Sequence, residues 1–70
     1  MSTKKHIFIT GISNISWKDA TLKALNEVSK TIDYISEIKI LDQRATITNN
    51  KISEYLVDID LSFMIDERRN

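Results

Sequence analysis

The chain has 70 residues, ten basic and ten acidic, with one histidine, one glycine, no proline and no cysteine. A chain this short buries only about 60% of the surface its unfolded form exposes. Without thiols it has no disulfide or thiolate metal staple, so oligomerisation is the expected support. The cancelled charge offers no long-range field for nucleic acid or an anionic membrane. No run reaches the ~18 apolar residues of a membrane span, and no signal-peptide pattern opens the chain. One cytoplasmic domain covering residues 1–70 is the expectation.

Strand character begins at Lys4 and runs to Thr10, with Ile7 and Ile9 on one side and His6, Phe8 and Thr10 on the other. Gly11 is expected to break this strand, and the following residues, Ile12 to Ser16, read as a loop rich in capping residues. "SWKD", Ser16 to Asp19, has the form of a capping box. The Ser16 hydroxyl is expected to accept from the Asp19 backbone N–H while the Asp19 carboxylate reaches back toward Ser16. Trp17, Ala20, Ala24, Val28 and Thr31 then recur at spacings of three and four, which predicts an amphipathic helix of about four turns.

The second strand starts near Ser36. Ile38 and Ile40 share one parity, whereas Leu41, Ala45 and Ile47 share the other, which calls for a bulge or bend near Leu41–Asp42. Thr48 to Lys51 reads as a tight hairpin turn, because asparagine tolerates positive φ. The third strand alternates without a miss: Tyr55, Val57, Ile59, Leu61, Phe63 and Ile65 face the core. Glu54, Leu56, Asp58, Asp60, Ser62 and Met64 face away. The fold class is therefore α+β with the order β-α-β-β, a three-stranded antiparallel sheet packed on one helix. A single helix covers only part of so long a strand, and the open sheet face predicts a partner surface carrying Leu56 and Met64, with Ile40 or Leu41 nearby.

"ITGIS" (Ile9 to Ser13), "SWKDA" (Ser16 to Ala20), "KTI" (Lys30 to Ile32), "QRATI" (Gln43 to Ile47) and "EYLVDIDLSFMIDE" (Glu54 to Glu67) occur here in one order without a gap. In that order the chain resembles the dodecins, small flavin-binding proteins that assemble as hollow shells of twelve subunits. The resemblance implies a homododecamer that binds and stores a flavin, FMN or riboflavin, between subunits. It places Glu37 where flavin-binding members carry a stacking tryptophan, and Leu56 where they carry a glutamine that hydrogen-bonds the ring. Arg44 matches a basic position used for phosphate or a neighbouring subunit, and Met64 replaces another basic residue. A carboxylate has no π-face for stacking, so Tyr34 is a candidate substitute ring. The expected ligand site is thus Glu37, Leu56, Arg44 and Tyr34, with an alternative in which the shell holds cations or another ligand.

Glu37, Glu54, Asp58 and Asp60 carry oxygens suited to hard cations, but ion pairs with Lys39, Lys51 or Arg44 are the favoured reading of them. His6 stands alone as a strand-face residue, and Trp17 is assigned to packing. Catalysis is not expected, since no nucleophile–base–orienter set and no phosphate-binding loop is present.

Overall fold

A computed structural model describes residues 2–66 of the chain. It contains β1 (Ser2–Ser13), α1 (Trp17–Val28), β2 (Ile35–Thr48) and β3 (Lys51–Asp66). The strands form one antiparallel sheet in the order β1-β3-β2, which puts the longest and most regularly alternating strand in the middle. Val57, Ile59 and Leu61 of β3 are fully buried under α1 together with Ala20 and Ala24. Ile7, Ile9, Ile35, Ile38 and Phe63 pack around them. At roughly 1.5–3 kcal/mol for each large apolar side chain removed from water, this narrow strip is the main source of the protomer's cohesion.

Gly11 does not end β1, which continues to Ser13. A Cβ on Gly11 would lie 2.3 Å from the Ala20 carbonyl oxygen and 3.1 Å from the Ala24 Cβ. The glycine is there so that helix and strand backbones can approach, which is why the two helix residues above it are alanines.

The helix begins as expected, with the Asp19 N–H donating to the Ser16 hydroxyl at 2.9 Å. The second half of the capping box differs. The Asp19 carboxylate accepts from the Ser13 hydroxyl at 2.5 Å and pairs with Lys23 at 3.4 Å, tying the helix start to the end of β1. Regular helix ends at Val28, about three turns rather than four. Thr31 lies beyond it, with its N–H donating to the Val28 carbonyl.

The register of β2 against β3 slips between Ile40 and Asp42, leaving Leu41 as the extra residue where the parity change called for a bulge. Two further slips leave Ser36 and Ser53 unpaired; each compensates with a hydroxyl bond, Ser36 to the Ser62 carbonyl and Ser53 to the Thr46 carbonyl. Asn49 and Asn50 take φ of 53° and 61°, as a two-residue hairpin turn requires. The protomer measures 54 × 20 × 12 Å, so a helix of about 18 Å leaves both ends of the sheet uncovered.

Candidate functional site

The sheet face turned away from α1 carries the residues singled out from the sequence. Cross-strand pairing arranges them in rows: His6, Ser62 and Glu37; Phe8, Asp60 and Lys39; Thr10, Asp58 and Asp42; Ile12, Leu56 and Arg44. Apolar and charged side chains alternate along this face, and Phe8, Ile12, Leu41 and Met64 stay exposed. Met64 is therefore a surface residue, whereas Phe63, on the opposite parity, packs against the core.

The charged groups are largely spoken for. Arg44 donates from Nε to Asp58 Oδ2 at 3.1 Å and from Nη2 to Asp58 Oδ1 at 2.9 Å, and Thr10 donates to the same Oδ1. These bonds, Arg44 first, hold the Asp58 carboxyl below its ordinary range, and reciprocally hold the Arg44 guanidinium above its own. Lys4 donates to Glu37 at 2.9 Å, and that bond is the main cause of the lowered Glu37 carboxyl. Of the expected ion pairs Arg44–Asp58 forms, whereas Glu37 pairs with Lys4 and Asp60 lies within hydrogen-bond distance of His6, both from β1. Among the described residues no group of three or more His, Cys, Asp or Glu is placed to hold a metal ion.

His6, Asp60 and Ser62 do not make a catalytic relay. His6 Nδ1 meets Asp60 Oδ1 at 2.9 Å and Ser62 Oγ at 3.2 Å. A relay requires hydroxyl and carboxylate on different ring nitrogens, with the hydroxyl open to substrate. Ser62 is only 2% exposed.

Of the four residues assigned to a ligand site, Leu56 and Arg44 are direct cross-strand partners. Glu37 pairs with Ser62, six positions along β3 from Leu56, which is roughly 20 Å at the usual strand rise. Tyr34 lies at the same end as Glu37, its carbonyl accepting from the Met64 N–H and its ring exposed. One protomer therefore holds two separate pairs of these residues. Trp17 packs edge-on against Tyr55 with ring centroids 4.9 Å apart, and its indole N–H donates to the Arg44 carbonyl at 2.8 Å. The indole thereby anchors the backbone that presents Arg44. Sequence reasoning passed over Lys4, His6, Phe8 and Thr10 of β1 as site residues. Their shared parity was visible, but the register that sets them beside β3 was not.

The dodecin family model matches residues 3–66. The chain belongs to the dodecin family. Its fold is that of the solved dodecins. The dodecin from Streptomyces davaonensis superposes with a TM-score of 0.88 at 21% identity, covering 94% of this chain and 97% of that one. A tryptophan-to-phenylalanine variant of the T. thermophilus dodecin gives 0.90 at 24% identity, covering 96% and 100%. The calcium dodecin of Mycobacterium tuberculosis, described as a calcium-chelating antigen with a novel calcium-binding site, gives 0.81 at 25% identity and 97% of each chain. No curated protein sequence matches. As a dodecin, the chain keeps the family's β-α-β-β frame. Among the described residues no helix is long and apolar enough to cross a membrane.

Proposed function

We propose that this dodecin is a non-enzymatic binding protein, a single domain that assembles with itself into a closed shell of twelve subunits. The shell takes up and buffers a small ligand between subunits, and a flavin, riboflavin or FMN, is the ligand class to test first. The observation that carries this reading is the split of the candidate residues. Glu37 with Tyr34 and Leu56 with Arg44 stand about 20 Å apart in one protomer, so a second copy would have to bring the two pairs to one site. Exposed apolar residues on the open sheet face supply area for such contacts. Native mass spectrometry of protein purified without added ligand, repeated with oxidised riboflavin and FMN, tests it. A twelve-subunit mass that gains flavin is the expected result, and a stable monomer would overturn the assembly itself.

A second reading, a shell that binds no flavin and holds cations or another ligand, rests on the Lys4–Glu37 ion pair. That pair fills the stacking position with charge, and Leu56 leaves the ring's polar edge without a partner. The calcium named for the mycobacterial relative makes Ca²⁺ the cation to try. Replacing both residues, Glu37→Trp with Leu56→Gln, should then create or strengthen flavin binding. An assembled double variant that still ignores flavin would show that positions 37 and 56 do not line the pocket.

A further inference from the structure

Midway between the two half-sites, the outer face is concave. A groove of about 260 Å³ is lined by Phe8, Ile9, Thr10, Leu41, Asp58 and Ile59. One flank follows from the regular alternation of β1 and the other from the β2 bulge. Phe8 is 72% exposed, and Leu41, the extra residue of the β2 bulge, is 48% exposed. The groove also has a built polar group. Asp58 Oδ1 accepts from Thr10 and Arg44, while Oδ2 accepts from Arg44 Nε. A carboxylate has about four lone-pair sites, so one on Oδ2 remains for an N–H donor. The Asp58 side chain is still 30% exposed, which keeps that site reachable.

We infer that the Phe8–Leu41 groove is the ring-binding surface of this protein, taking a flat heteroaromatic ring that carries a ring N–H. The inference rests on the small-ligand reading above and gives that ligand a new seat. Phe8 supplies the π-face that position 37 lacks, and Leu41 bounds the opposite side. Asp58 Oδ2 receives the ring N–H, and the Arg44 fork holds the carboxylate in place for it. Drug-sized pockets usually enclose about 300–1,000 Å³, so this open groove is one wall of a site that a second copy closes. Arg44 is already neutralised by Asp58, so a phosphate on the ligand should add little here.

Riboflavin, whose ring carries one N–H, and its N3-methyl derivative, which does not, are the probes. Full-length protein is titrated into each, following quenching of the ring fluorescence, with native mass spectrometry reporting assembly. Riboflavin should bind about tenfold or more tightly than the methylated ring, the scale of a lost hydrogen bond to a charged acceptor. Phe8→Ala should weaken riboflavin binding by about tenfold, and Phe8→Trp should retain it. Equal binding of both rings would overturn the inference, and this comparison uses the unaltered protein even where Phe8→Ala fails to assemble. An assembled Phe8→Ala protein that binds riboflavin as before would also overturn it. Wild-type assembly that takes Ca²⁺ but no flavin ring would overturn this seat while leaving the shell intact. A monomer that binds nothing would overturn the small-ligand reading itself.

Discussion

The two faces of this sheet are built from the same three strands and hold together by different physics. Under α1, alternate residues of β3 meet two alanines and a glycine at backbone distance, and Val57, Ile59 and Leu61 lose all contact with water. On the other side the same strand offers Asp58, Asp60 and Ser62 to Thr10, Arg44 and His6 in a network of charge-assisted bonds that solvent still reaches. Close packing is intolerant of small changes in volume, whereas exposed ion pairs contribute little individually and rearrange easily. The inner face therefore fixes the protomer, and the outer face is freer to change its side chains.

Truncations should separate the faces in a clear order when unfolding is followed at fixed protein concentration, since assembly is coupled to stability. Leu61→Ala, which hollows the centre of the inner face, should cost about 2–5 kcal/mol in chemical denaturation. Gly11→Ala should come next at about 1–3 kcal/mol, because its methyl must push against the Ala20 carbonyl, a backbone atom that moves only with the helix. A tolerated Gly11→Ala would mean that the helix can lift off β1, and the contrast between faces would be weaker than drawn. Ser16→Ala removes the acceptor for the Asp19 N–H and should cost roughly 1 kcal/mol, read as a lower melting midpoint.

The smallest effects belong to the outer face. Lys4→Ala should shift the melting midpoint less than Ser16→Ala, because both members of the Lys4–Glu37 pair are largely exposed. Acid should reveal the outer network as a whole. Asp58 and Glu37 have carboxyls held below their ordinary range by Arg44 and Lys4. Asp19, at the helix start, is held low mainly by Ser13. A carboxyl with a depressed folded-state pKa contributes stability that is present above its unfolded value and is lost as pH falls through the folded one. Melting midpoints should therefore drop as pH falls through and below the ordinary carboxylate range. Arg44→Met, which frees Asp58, should flatten part of that drop, and an unchanged acid profile would remove the Arg44–Asp58 pair from the account.

Element order, the Ser16 cap, the Asn49–Asn50 turn and the inward face of β3 were all legible in the sequence. Each is a local consequence of residue type: hydroxyl acceptors, tolerance of positive φ, or a period of two in apolar residues. Even the β2 bulge could be read, because one inserted residue inverts the parity of everything after it. Gly11 was misread because a strand glycine and a strand-ending glycine look alike along the chain; only the helix lying 2.3 Å from its missing Cβ distinguishes them. Glu37, Leu56, Arg44 and Tyr34 could be named in advance by resemblance. That two of them pair while the others lie about 20 Å away, that Lys4 answers Glu37, and that Phe8 and Leu41 flank Asp58 were decided by pairing between residues far apart in sequence. Local propensity carries no information about that register, because it is selected by burial of the opposite face.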